Sequence, residues 1–202
     1  MTKPSVNPLE LGNSTSLGLL ERVRAKDATA WERLISLYAP LVEHWSCRAG
    51  LQDADTADVC QDVFLAVARK LADFHRDRPE DTFRGWLRRI TQRKLCDHWR
   101  KTRGGPPTAG AAEQLAWMAS PAEDSSEVAI AEETQVLYRR ALELIQREFE
   151  ERSWQAFWRV VIDGQRPADV AADLGTTANA VYLAKGRVLA RLREEFAGAI
   201  EG

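Results

Sequence analysis

The sequence predicts an all-α protein built from two small helical domains, and three observations carry that expectation. Strand-like alternation is nearly absent along the 202 residues, and apolar positions recur instead at helical spacing. The stretch GGPPTAGAA, beginning at Gly104, breaks that periodicity near the middle of the chain. A 45% apolar content is enough to build cores at this length, whereas 29% charged residues with no long apolar run leave nothing to span a bilayer. The opening MTKPSVNPLELGNS lacks the apolar centre of a secretory signal, so the expected location is cytoplasmic.

Taken in order, residues 1–16 form an N-terminal extension with no assigned role. The first domain, 17–103, opens on a helix over Leu17–Lys26 and a second over about 28–49. Asp27 is placed to accept from the free amides of the second helix, and Pro40 is expected to kink it. A third helix covers 53–73, its acidic start suiting the positive end of the dipole. Within it Val59, Val63, Val67 and Leu71 recur every four residues, a stripe that must face a core. After a polar loop at 75–81, a fourth helix is expected over about 82–102. An acidic linker, 104–126, follows, with Leu115–Met118 as an apolar island of no assigned role. The second domain, 127–202, begins with a long helix to about Glu150 and a further one from Ser153 to Ile162, ending at Asp163-Gly164.

The formal net charge of -2 conceals a sorting of charge along the chain. From Phe83 to Arg103 eight Lys and Arg stand against Asp97 alone. From Gly104 to Gln135 six acids, Glu132 and Glu133 among them, stand without a cation. From Ala178 to Arg193 four cations stand without an acid. Two basic helices flanking an acidic stretch point to a polyanionic partner.

Chemistry finds little purchase. Cys47, Cys60 and Cys96 are odd in number and widely spaced, which predicts helix packing rather than a disulfide framework. Cys96-x-His98 lacks a second pair that would complete a zinc site. With no Gly-rich phosphate loop, GxSxG or HExxH, and with His44, His75 and His98 scattered, no catalysis, cofactor or metal is expected.

The strongest local pattern runs from Pro167 to Val181. A short helix opens with Pro at its first position and closes at Gly175, which suits the left-handed cap, and Thr177 then caps a second helix. Val170, Ala171 and Leu174 supply the apolar side of the first, and Val181, Val188 and Leu192 that of the second. This is a helix-turn-helix arrangement whose second helix fits the major groove. Thr177, Asn179, Tyr182, Lys185, Arg187 and Arg191 are the candidate DNA contacts on it. Gly186 weakens this helix unless a close approach to DNA or a neighbouring helix requires it.

The fourth helix interleaves rings with cations, the combination that serves single-stranded or distorted nucleic acid. Candidate contacts are Arg84, Trp86, Arg88, Arg89, Arg93, Lys94, Trp99, Arg100 and Lys101, while Phe83, Leu87 and Ile90 are assigned to the core.

At this point the chain resembles the bacterial sigma-factor family, specifically its two-domain extracytoplasmic-function group, over about residues 17–103 and 130–196. Asp55-x-Ala57-Asp58-Val59-x-Gln61-Asp62-Val63-Phe64-Leu65 is similar to the family's region 2 helix that docks on core RNA polymerase. Phe83-Arg-Gly-Trp86-Leu87-x-x-Ile90, continuing to Asp97-x-x-Arg100, is similar to the part that opens and recognises the promoter's -10 element. The helix-turn-helix looks like region 4, which binds the -35 element as duplex. The resemblance implies core RNA polymerase and promoter DNA as partners, with Asp55, Asp58, Gln61, Asp62 and Leu65 facing polymerase, and it admits an anti-sigma factor as a further partner. It gives a role to Asp53, Asp55, Asp58 and Asp62, four acids that the sequence shows without a nearby cation. The acidic linker is expected to be a flexible connection, and its charge suggests the hypothesis that it lies in a cationic channel of polymerase in imitation of nucleic acid. The chain departs from the family at Thr91 and Arg93, where Ala and Asn are usual, and at Lys185, where an apolar residue is common. Two other readings of the same residues are a helix-turn-helix regulator that never replaces a sigma factor and a helical module binding another acidic protein.

Overall fold

The computed structural model describes residues 17–75, 77, 78, 81–103 and 127–196. All regular elements among them are helical: α1 (Leu17–Arg24), α2 (Ala28–Arg48), α3 (Asp53–Lys70), a 3-10 turn (Leu71–Asp73), α4 (Phe83–Arg103), α5 (Glu127–Gln146), α6 (Glu151–Val161), α7 (Pro167–Asp173) and α8 (Ala178–Phe196). The extension 1–16, the linker 104–126 and the Leu115–Met118 island lie outside the described residues.

Helix ends follow local chemistry. The Asp27 carboxylate accepts from the amides of Thr29 and Ala30 at 2.9 and 3.2 Å, so α2 starts where it was expected. Gly50, at φ +84°, ends it, with Leu51 and Gly50 amides returning to the Ser46 and Cys47 carbonyls. The same double return ends α1, but there the left-handed residue is Lys26 at φ +62°. Pro40 does not end α2, which runs unbroken around it. The missing proline N–H frees the Ser36 carbonyl one turn earlier, and Arg140 of α5 donates to that oxygen at 2.7 Å. A local defect in one helix thus becomes an anchor for another.

The expected third helix stops at Lys70 and tightens into the 3-10 turn, whose Leu71 is buried; Arg24 of α1 donates to the Leu71 and Phe74 carbonyls beyond it. The stripe Val59, Val63, Val67 and Leu71 is buried as its spacing required. It joins Leu34, Leu37, Tyr38, Leu41 and Trp45 of α2 and Phe83, Leu87 and Ile90 of α4 in a large core. Leu137, Ala141, Leu142 and Ile145 of α5 and Val188 and Leu192 of α8 belong to that same core. Helices assigned by sequence to the second domain therefore share apolar packing with the first. A smaller cluster of Ala156, Val170, Ala171, Val181 and Ala184 holds α6, α7 and the start of α8 together.

The cysteines are free, and Cys60 and Cys96 are half-buried, but Cys47 is exposed, so the packing expected of all three fails there. Burial, with the Glu43 charge in support, pushes the Cys60 thiol up to about 11. Among the described residues no helix is long and apolar enough to cross a membrane.

Candidate nucleic-acid interface

Helices α3 and α4 pack side by side, and each carries some of its candidate residues on an exposed edge. On α3, Asp58, Gln61, Asp62 and Leu65 are exposed and Asp55 is half-buried. Leu65 is 48% exposed. On α4, Arg89, Arg93, Arg100 and Lys101 are exposed and Lys94 is half-buried. A groove of about 330 Å³ runs between the two edges, lined by Asp62, Leu65, Arg69, Arg93, Lys94 and Asp97. One of the α3 acids does have a cation nearby, contrary to the sequence reading: Lys94 lies 3.8 Å from Asp62, and the His98 ring lies 3.8 Å from Asp55. The α3–α4 packing supplies partners that spacing along one helix could not reveal.

Other candidates on α4 face inward. Arg84 and Arg88 are buried, and so is Trp99. Trp86 is half-buried, its ring against Phe74 and Phe83 at centroid distances of 5.2 and 5.6 Å. The reading of Arg84, Arg88 and Trp99 as open nucleic-acid contacts is therefore corrected for this arrangement, because the positions at 84, 88, 91 and 95 form the helix's buried face. Thr91, where the family pattern has Ala, belongs to that face as well, and its hydroxyl donates to the Leu87 carbonyl at 2.9 Å. Arg93 stands on the exposed side.

What receives the two arginines is a residue that carried no assigned site in the sequence. Glu133 of α5 is 2% exposed; its carboxylate lies 3.8 Å from Arg84 and 3.6 Å from Arg88. Trp45 of α2 donates its indole N–H to the same carboxylate at 2.9 Å, within the buried region. Burial holds the Arg88 guanidinium below its ordinary value, with the Glu133 charge opposing. The signal in the sequence was Glu133's register: Ala129, Leu137, Ala141 and Ile145 are buried at four-residue spacing, and Glu133 interrupts that stripe.

In the C-terminal part, α7 and α8 form the expected helix-turn-helix. Gly175 stands at φ +60°, and the amides of Gly175 and Thr176 return to the Ala172 and Ala171 carbonyls. Thr177 then accepts from the Ala180 amide at 3.2 Å. Thr177, Asn179, Tyr182 and Arg187 are exposed, and Tyr182, 58% exposed, projects from a helix whose opposite side is buried. Lys185 is half-buried. Arg191 is turned away from the candidate surface, pairing with Glu148 at 2.6 Å and with Glu195 at 2.7 Å. Nothing lies within 4 Å of where a Cβ on Gly186 would sit, so no neighbouring helix requires that glycine.

Cationic and acidic helix edges thus lie side by side on α4 and α3, and α7 and α8 form a helix-turn-helix. Residues 34–104, which include nearly all of α2 through α4, match the model for Sigma-70 region 2. Over 201 residues the chain is 28% identical to the RNA polymerase sigma factor NccH of Alcaligenes xylosoxydans xylosoxydans, covering 95% of both proteins. It is 31% identical over 144 residues to the probable RNA polymerase sigma factor RfaY of Xanthomonas campestris pv. campestris, a match covering 70% of this chain and 34% of that protein. It is 35% identical over 71 residues to the RNA polymerase sigma factor CnrH of Cupriavidus metallidurans, covering 35% of this chain and 36% of that one. The chain thus spans about a third of the length of two of these relatives and nearly all of the third. Residues 34–104 therefore carry a Sigma-70 region 2 domain, and the relatives that the chain resembles are named as RNA polymerase sigma factors.

Proposed function

We propose that the chain is a sigma factor of the extracytoplasmic-function type, which works in the cytoplasm by carrying core RNA polymerase to specific promoters and performs no catalysis itself. The observation that carries this reading is the coincidence of the region 2 match with α2–α4, where a leucine-bearing acidic edge lies next to a cationic one. The α3 edge of Asp58, Gln61, Asp62 and Leu65 docks on polymerase. Arg89, Arg93, Arg100 and Lys101 of α4 meet the phosphates of the melted -10 element. Thr177, Asn179, Tyr182 and Arg187 on the exposed side of α8 enter the major groove of the -35 duplex. An anti-sigma factor, if one holds this chain, would have to cover one of these edges.

The test is reconstitution of core polymerase with the full chain on a genomic promoter library. Specific initiation that requires the chain is the expected result. Specific duplex binding without initiation would instead identify a helix-turn-helix regulator. Absence of both initiation and DNA binding would overturn the reading in favour of a protein-interaction module.

A further inference from the structure

The exposed side of α8 is a continuous stripe of Asn179, Tyr182, Leu183, Gly186, Arg187 and Ala190, opposite the buried Val181, Ala184, Val188 and Leu192. Its composition is unlike that of α4. Between Ala178 and Ala184 no residue is charged, and Lys185, the first cation of the helix, is half-buried. Tyr182 and Leu183 are each 58% exposed, more than Leu65, Trp158 or Ile162, the other large apolar side chains open to solvent among the described residues. Leu183 takes no part in the packing that holds the helix-turn-helix, which Ala156, Val170, Ala171, Val181 and Ala184 supply.

In a helix-turn-helix, residues near the start of the second helix meet base edges, and each edge calls for a different side chain. Guanine is read by Arg or Lys, cytosine by a carboxylate, adenine by an amide, and thymine by apolar contact with its methyl group. The first two turns of α8 expose no cation and no carboxylate. They expose the Asn179 amide and, one turn on, Leu183 with Tyr182 beside it. A reader suited to adenine thus stands next to one suited to thymine. Gly186, three residues beyond Leu183, has open space where a Cβ would stand, which lowers the surface beside that leucine and lets a base edge approach. Arg187 and Arg193 are exposed further along, and no acid lies between Ala178 and Arg193. An apolar centre edged by positive charge alone suits the groove of a polyanion.

We propose that Leu183, with Tyr182 beside it, is a specificity-determining residue that covers thymine methyl groups in the major groove, so that α8 selects A·T pairs where its second turn lies. The inference rests on the reading of α8 as the helix that enters duplex DNA. It adds which bases that helix prefers and by what contact. Arg187, one turn beyond Leu183, holds the helix to phosphate and carries no part of that preference.

The experiment uses core polymerase loaded with the full chain, and the strongest promoter recovered from the genomic library. Its upstream element is synthesised once with thymine and once with uracil, which lacks only the methyl group. Affinity is read at fixed salt by competition against a labelled promoter duplex, for the unaltered chain and for Leu183→Ala. The uracil element is expected to bind the unaltered chain about fourfold more weakly for each methyl covered. Leu183→Ala is expected to bind the thymine element more weakly and to lose most of the distinction between the two, the mark of a direct contact. An upstream element without thymine overturns the proposal, and so does equal binding of the two elements by the unaltered chain. Uracil sensitivity that Leu183→Ala keeps in full also overturns it, since the methyl is then read by another residue or through DNA shape. Failure of Leu183→Ala to assemble with polymerase, with uracil and thymine bound alike by the unaltered chain, identifies the stripe as a protein-docking face and overturns it too. Promoter-dependent initiation with equal binding of both elements removes the methyl contact and keeps the sigma-factor reading. The expected uracil and Leu183→Ala effects on duplex binding without initiation keep the contact and remove that reading.

Discussion

Lys26 occupies a position that glycine would fill more easily. Its φ of +62° places an L-residue in the left-handed region at the end of α1, where the chain closes two backbone hydrogen bonds. Lys26→Gly is expected to stabilise the fold by about 1 kcal/mol, read as a rise in the denaturation midpoint without a change in slope. Asp27, the next residue, illustrates an electrostatic cap. Hydrogen bonds from the Ala30 amide and then the Arg22 side chain hold its carboxyl below the ordinary 3.8. A lowered native value contributes stability that is fully present above 3.8 and is lost as pH falls through the native value. Asp27→Ala should therefore lower the melting temperature at neutral pH, and the gap from the unaltered chain should shrink in melts below pH 3.8. The two residues were legible to different degrees. The Asp27 cap follows from its place before an apolar run, whereas a lysine in a glycine position leaves no mark in the sequence.

Two helices carry the predictions that belong to the element. Gly186 of α8 is exposed, has a Cβ position open to space, and costs the helix about 1 kcal/mol relative to alanine. Gly186→Ala is expected to raise stability by about that amount; if duplex binding falls at the same time, the glycine is there for close approach to DNA backbone. On α4 the exposed cations separate from the buried ones. Replacing Arg89, Arg93, Arg100 or Lys101 singly by Gln should reduce the salt slope of single-strand binding by about 0.7 for each phosphate that is no longer neutralised. The helix boundaries themselves were readable because caps, prolines and four-residue stripes are local. Which cations of α4 face water was not, because eight of them surround a helix whose inward face is partly built of arginine.

For the molecule as a whole, the shared core makes a further expectation. Leu137 of α5 is fully buried within the same core as α2, α3 and α4. Leu137→Ala should cost about 2–5 kcal/mol, and its effect should appear in the unfolding of the N-terminal helices as well as in that of α5. A chain of two independent halves would confine the loss to the C-terminal part, which hydrogen exchange resolves helix by helix. The helical class, the order of the helices, the helix-turn-helix and the segment-by-segment charge could all be read along the chain, since each depends on residues within a few turns of one another. That Glu133 meets Trp45, Arg84 and Arg88 could be seen only in the folded molecule, because bringing α2, α4 and α5 together is a matter of packing across 88 residues of chain. Charge counted along a sequence is blind to which charges fold onto each other, and here that folding determines which basic residues remain open to a partner.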